Sequence, residues 1–336
     1  MQTSIHFRAI EEDRPGERWK ALFDPAWPFY RAWFLRSGAV ARPSFLACRR
    51  ALRAHMPELV PTWERLVELA GGGDLEARFL SLWCPPPYIV GCSQAVWIDS
   101  ELAQEPMLLR NYDFSPALLE GNWLSTRWVG QRVMAMSDCL WGALDGINES
   151  GLAASLSFGG RTGSGDGFGI PLRARYVLGT RRSTAAAIAI LERIPVHMSY
   201  SVTLLDRRSQ WATVFLNPDR PVEVTRRKAV TNVQHQVEWP EHARATRSPE
   251  RLEVLQRQLD AGAGAPAVID ALLSEPLYQP AWQRGYGTLY TAAYSPQTGR
   301  ASLHWPGQSW VQALDAFEDG QRHISLPASA AAAVPQ

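Results

Sequence analysis

The chain has 336 residues and a mass of 37.4 kDa, and its 34 Lys+Arg against 33 Asp+Glu exclude a bulk nucleic-acid binder built on basic excess. With 46% hydrophobic and 20% charged residues it is not intrinsically disordered as a whole, and at this length a large core forms without staples.

The N-terminal stretch MQTSIHFRAIEEDRPGERW is charged and lacks the apolar run of a secretory signal. The best apolar run, residues 185–191, is far too short for a membrane span. A cytoplasmic protein with free thiols is therefore expected, with neither nucleic acid nor membrane as partner. Cys48, Cys84, Cys92 and Cys139 form no C-x-x-C and have no histidines at zinc-ligand offsets, so neither a disulfide scaffold nor a metal site is expected.

Along the chain, residues 16–36, 44–56, 58–70 and 74–83 carry apolar positions at helical spacing, punctuated by Pro15, Pro43, Pro61 and Gly71-Gly72-Gly73. Pro85-Pro86-Pro87 ends this helical front. The segments YIVGCSQAVWI, PMLLRNYDF, RWVGQRVMAMS and GLAASLSF then read as strands. The glycine cluster Gly159–Gly169 lacks the phosphate-loop order and reads as a mobile loop at the lip of a pocket. Helices are expected over 170–180 and 183–193, strands in SYSVTLLD, WATVFL and VEVTRRKAVTN, and helices again over 248–260 and 265–274. GTLYTAAYS and ASLHW close as a hairpin, and the tail ASAAAAVPQ reads as disordered. Helices grouped between blocks of antiparallel strands predict two sheets packed face to face with helices outside.

Cys92 stands out because Gly91 precedes it just after the break between helical front and β-rich body. A glycine carbonyl is unobstructed, so the Cys92 thiol can attack it, and hydrolysis of the resulting thioester leaves a new N-terminal cysteine. That residue holds a thiol of pKa about 8.5 and an α-amine of about 7.7–8.0, a nucleophile and its base together. The alternative is a buried free cysteine acting as a small hydrophobe. Arg110 and Asp113 end the next strand, where Arg110 can lower the thiol pKa and Asp113 can orient the amine. Asn232, at a strand end, can aim its amide at an oxyanion, and Arg251, early in a helix, can complete the site.

Gly91-Cys92, Arg110-Asn111-Tyr112-Asp113, Asn148-Glu149-Ser150-Gly151-Leu152, Thr231-Asn232 and Ser248-Pro249-Glu250-Arg251 come in the order seen in N-terminal-nucleophile (Ntn) hydrolases. Over about residues 88–306 the chain resembles the isopenicillin-N acyltransferase family of autoproteolytic acyltransferases and hydrolases, and more distantly the choloylglycine hydrolases. The resemblance implies an α+β fold, a four-layer αββα sandwich of two antiparallel sheets, behind an N-terminal helical propeptide. It implies division into a propeptide of residues 1–91, a catalytic domain of 92–325 and a tail of 326–336. It further implies autocleavage between Gly91 and Cys92, and Cys92 as nucleophile with Arg110 and Asp113 as its positioning pair. Asn232 would be the oxyanion donor and Arg251 a supporting cation. The implied activity is hydrolysis of a linear amide, or acyl transfer, without a cofactor. The implied partner is a small-molecule amide or acyl donor such as an acyl-CoA, and the chains can form a homo-oligomer. Val233, Ser157 and Ser201 depart from the family pattern, Ser157 standing where the choloylglycine branch has asparagine.

Trp123, Trp128 and Trp141 flank the strands of the expected pocket; with Ser157, Trp123 and Trp141 are candidate substrate contacts, core packing being the other reading. His197, His235, His242 and His304 offer partners for an ordinary Cys–His hydrolase, although the sequence that surrounds such cysteines is absent. Asp138, Asp145 and Glu149 follow no metal-binding spacing. A degenerate relative that binds an amide or acyl ligand without turnover is the non-enzymatic alternative.

Overall fold

The computed structural model describes residues 3–99 and 104–326. Strand β1 (Thr3–Glu12) is followed by helices α1 (Glu17–Phe34), α2 (Phe45–His55), α3 (Val60–Leu69) and α4 (Asp74–Leu80). Six strands come next: β2 (Gly91–Trp97), β3 (Met107–Phe114), β4 (Asn122–Val129), β5 (Gln131–Met136), β6 (Asp145–Asn148) and β7 (Leu152–Phe158). Helices α5 (Ile170–Thr180) and α6 (Thr184–Arg193) lead to β8 (Tyr200–Asp206), β9 (Trp211–Leu216), β10 (Glu223–Thr225) and β11 (Ala229–Val230). Helices α7 (Pro240–Ala245), α8 (Ser248–Asp260) and α9 (Ala265–Leu272) precede β12 (Gly287–Ser295), β13 (Arg300–Trp305), β14 (Gln308–Ala313) and β15 (Gly320–Leu326).

The strands form two sheets, one ordered β10-β9-β8-β7-β6-β5-β4-β1-β15 and one ordered β11-β2-β3-β12-β13-β14. Their inner faces meet where β2 and β3 cross β7 and β8. Helices α5 and α6 cover the outside of the larger sheet, and α8 and α9 cover the smaller one. This is the αββα sandwich. Both faces of β2 and β7 are buried, and accordingly neither strand carries a charged residue. Ala95, Leu109 and Ala293 of the smaller sheet bury their outward side chains against Leu255, Val268 and Leu272 of the two helices.

The N-terminal region differs from the helical segment expected for residues 1–91. Its first ten described residues are a strand, antiparallel to β15 and parallel to β4, with Arg8 opposite Asn122. Ile5, Phe7 and Ala9 point into the core at a period of two, too short an alternation to outweigh the charges around it. The helices that follow are as expected, α2 opening on Ser44, whose Oγ accepts from Ala47 N at 3.3 Å. Helix α1 runs through Pro25 and Pro28 and stacks Trp19, Phe23 and Trp27 at four-residue spacing.

Two further differences bear on the site. VEVTRRKAVTN divides between the sheets, β10 pairing with β9 and β11 with β2. The ends of the glycine cluster are packed, Gly159 donating to Ser199 O at 2.8 Å. A Cβ on Gly160, at φ 74°, would lie 2.0 Å from the Asn232 carbonyl oxygen. Strands β14 and β15 extend the fold past the expected closing hairpin; of the expected tail, residues 327–336 lie outside the described residues.

Candidate active site

Cys92 is the second residue of β2, fully buried, and faces Tyr112 across the β2–β3 ladder; Gly91 faces Asp113 and Gln94 faces Arg110. Residues two apart share a strand face, so Cys92, Gln94, Arg110 and Tyr112 all point to the interface between the sheets. Arg110 Nη2 donates to Cys92 Sγ at 3.1 Å, and Nη1 pairs with Asp145 Oδ2 from β6 of the opposite sheet. Tyr290 donates to Asp145 Oδ2 at 2.7 Å, and Tyr294 donates to Oδ1. The carboxylate thus holds the guanidinium while two phenols donate to it as well, as a buried ion pair requires. The guanidinium carbon also lies 4.8 Å from the Tyr112 ring centroid.

A second buried pair lies on the other side of Cys92. Asp113 and Ser93, with the opposite parity on their strands, meet α8, where Arg251 Nη1 donates to Asp113 Oδ2 at 2.8 Å and to Ser93 Oγ at 2.7 Å. Thr288 Oγ1 donates to Asp113 Oδ1 at 2.7 Å. Arg251 Nη2 reaches Asn232 Oδ1 at 2.9 Å, and Nε reaches Thr246 O at 2.7 Å. Asn232 Oδ1 also accepts from the Cys92 backbone N at 3.1 Å and from Ser248 Oγ at 3.4 Å. Three donors on Oδ1 fix the amide orientation, so Nδ2 faces carbonyls, Phe158 O at 2.9 Å and Val90 O at 3.3 Å. The short β11 strand pins this arrangement to β2, with Val230 opposite Gln94.

Cys92, Arg110, Asp113, Asn232 and Arg251 therefore form one connected cluster around the Gly91–Cys92 peptide bond. Two expectations change. In the uncut chain the Cys92 nitrogen is held by Asn232, whereas Asp113 is engaged by Arg251 and Thr288. Burial raises the Cys92 thiol pKa, and Arg110 beside it, acting downward, only partly offsets that. A thiol attack by Cys92 on the Gly91 carbonyl, if it cuts the chain there, is therefore expected to speed up about tenfold per pH unit from about pH 6 to about pH 8. Intact mass against time reads the rate, and a plateau already reached near pH 7 would show a thiolate formed in advance.

Sequence reasoning missed Asp145, Tyr290, Tyr294, Thr288, Ser248 and Tyr286. Asp145 stood out only as an unlikely metal ligand, since its partner Arg110 is 35 positions away on another sheet. The tyrosines read as ordinary strand residues. Tyr286 lies beside Gly91, and a Cβ on residue 91 would come 1.6 Å from its hydroxyl, which is buried and without a hydrogen-bond partner. Gly91→Ala must displace that ring and shift the Gly91 carbonyl, and any cleavage at that bond is expected to slow on the order of 100-fold, as read by the half-life of the uncut species.

Other candidates lie elsewhere. Trp123 packs edge-on to Trp310 and Phe317, Trp141 donates to Leu80 O at 2.9 Å, and neither ring is placed beside Cys92. Ser157 lies on β7 in the sheet interface, its Oγ 3.5 Å from Thr231 O. His197 Nδ1 bonds Gly165 O at 2.7 Å and His235 pairs with Glu223 at 3.0 Å, so no Cys–His pair forms at Cys92. His242 stacks on Trp239, its pKa pushed down to about 4 by burial and by Arg251, so it is neutral near pH 7. Among the described residues no three His, Cys, Asp or Glu side chains cluster to hold a metal ion, and no helix is long and apolar enough to cross a membrane.

Residues 101–310 match the family model for acyl-coenzyme A:6-aminopenicillanic acid acyl-transferase. No curated protein matches the chain. Among solved structures, the R18L variant of conjugated bile acid hydrolase from Clostridium perfringens aligns at 10% identity and TM-score 0.50, covering 72% of this chain and 100% of its own. Penicillin V acylase from Agrobacterium tumefaciens aligns at 16% identity and TM-score 0.47, covering 66% and 84%. The Caenorhabditis elegans ortholog of N-acylethanolamine-hydrolyzing acid amidase aligns at 12% identity and TM-score 0.46, covering 61% and 93%. With an αββα sandwich and a family match over residues 101–310, the chain belongs to the acyl-coenzyme A:6-aminopenicillanic acid acyl-transferase family.

Proposed function

We propose that the chain is a precursor that cuts itself between Gly91 and Cys92 and then acts, through a Cys92 acyl-enzyme, on a linear amide or acyl donor. The observation that carries this is the Cys92 thiol beside Arg110, with its own backbone nitrogen on Asn232. In the first step Sγ bonds to the Gly91 carbonyl carbon, the thiol proton passes to the Cys92 nitrogen, and the C–N bond breaks. Water then hydrolyses the thioester, leaving a Gly91 carboxylate and a free Cys92 amine. That amine takes the thiol proton in each later turnover. Withdrawal of Val90 removes one of the two carbonyls on Asn232 Nδ2 and leaves an N–H for the oxyanion, a contribution worth about 3–4 kcal/mol in comparable sites. The mass of the purified chain tests the reading: fragments 1–91 and 92–336 are expected, and a chain that stays whole on long incubation overturns it.

The two fragments stay together after cutting. Strand β1 lies inside the larger sheet between β4 and β15, and α1 buries Trp19, Phe23 and Phe34 in the common core. Co-elution in native gel filtration, with separation only in denaturant, is the expected result.

A further inference from the structure

Between α1, the end of β3 and the turn at Asp138 lies a cleft lined by Phe29, Trp33, Phe114, Leu118 and Asp138, with Tyr88 filling one side of it. Phe29 and Leu118 are exposed at its mouth, 49% and 39%, unusual for large apolar side chains that serve packing alone. Inside, the Asp138 carboxyl and the Tyr88 hydroxyl are both shielded from solvent, and the phenol stands beside the carboxyl. Neighbouring Glu120 differs, since Tyr30, Ser137 and the Leu140 N–H all donate to it. Once Tyr88 withdraws, the buried carboxyl loses that phenol, and a donor arriving on a ligand takes its place.

The cleft adjoins the nucleophile. The Tyr112 ring, opposite Cys92, lies 5.8 Å from the Phe114 ring that lines it. Its present occupant is Tyr88, a phenol whose ring is 6.3 Å from Trp33 and 6.5 Å from Tyr200. Tyr88 stands in residues 85–90, a stretch without regular structure whose three prolines supply no N–H for pairing. It leads directly into the Gly91–Cys92 bond.

We propose that this cleft is the acyl-side subsite of the processed enzyme and that it takes an aromatic ring bearing a hydrogen-bond donor, a hydroxyphenyl group, in the place Tyr88 fills before cutting. Asp138 accepts from the ligand hydroxyl, and Phe29, Trp33 and Phe114 cover the ring. The catalytic part of this assignment rests on self-cleavage as proposed above; occupancy of the cleft by a ligand does not.

The test uses the full chain carrying Cys92→Ala, which cannot cut, with Tyr88→Ala to vacate the cleft. Calorimetry with 4-hydroxyphenylacetamide and phenylacetamide should show the hydroxylated compound binding at least tenfold tighter. The Cys92→Ala chain with Tyr88 in place should bind both at least tenfold more weakly. Adding Asp138→Leu should erase the preference, while Asp138→Asn, which keeps a carbonyl acceptor and controls for folding, should retain it. Equal binding of the two compounds, a preference that survives Asp138→Leu, or indifference to Tyr88 overturns the proposal. In the processed enzyme the corresponding amides should differ about tenfold in kcat/KM with the same dependence on Asp138, and equal values reject the catalytic assignment. Failure of the self-cleavage reading shows separately, as an uncut wild-type mass.

Discussion

Cys92→Ala, expressed as the full chain, remains a single species of 37.4 kDa with no fragment beginning at residue 92. The same substitution lowers turnover roughly 10⁶-fold, the scale for loss of a covalent nucleophile. The prediction is sharp because the surrounding groups survive it: Arg110 keeps Asp145, and Asn232 keeps Arg251 and the residue-92 backbone N–H. A chain still cut after Gly91 would assign the cleavage to another group or to a protease. Cys92→Ser separates the two steps, since its hydroxyl can attack Gly91 but is a far weaker nucleophile than a thiol at neutral pH. Slow cutting with little turnover is expected, and mass spectrometry of trapped acyl-enzyme on the wild-type thiol completes the comparison.

Arg251→Met, made in the uncuttable Cys92→Ala chain so that one species unfolds, is expected to lose about 3–5 kcal/mol in urea denaturation. Arg251 and Asp113 are both fully inaccessible, and removing the guanidinium strands a buried carboxylate with only Thr288 as side-chain donor. Burial already raises the Asp113 pKa against the downward pull of Arg251. The substitution also removes donors from Asn232, Ser93 and the Thr246 carbonyl, so in the otherwise wild-type chain self-cleavage slows as well. Adding Asp113→Asn should recover part of the stability, because the stranded charge and not the lost volume dominates the cost. A loss under about 1 kcal/mol, or no recovery in the double variant, would show that the pair is not what holds α8 to the site. Arg251→Lys should fall between, a point charge lacking the planar fork that serves five oxygens from one side chain.

The site divides its two buried arginines by task. Arg110 approaches the sulfur directly and is held by the opposite sheet, whereas Arg251 approaches from the helix layer and positions Asn232 and Asp113. Neither arginine can be replaced by a nearby histidine, since those present are engaged elsewhere or held neutral by burial.

The amino-acid sequence by itself determined much of this. Helical spacing in residues 16–83, the break at Pro85–Pro87 and the boundaries of α5, α6 and α8 follow from periodicity, caps and prolines, which act within one turn of chain. The ordered motifs behind the family resemblance singled out Cys92, Arg110, Asp113, Asn232 and Arg251 as a set, and these residues lie in one hydrogen-bonded cluster. Tertiary structure decided what local patterns cannot carry. Strand β1 acquires its place only by pairing with β15, whose nearest residues are more than 300 positions away. The partition of residues 223–230 between two sheets sets where Asn232 lands. Asp145 becomes the partner of Arg110 only when the sheets pack, and the Cys92 thiol pKa rises because packing removes water, a desolvation no sequence neighbour encodes.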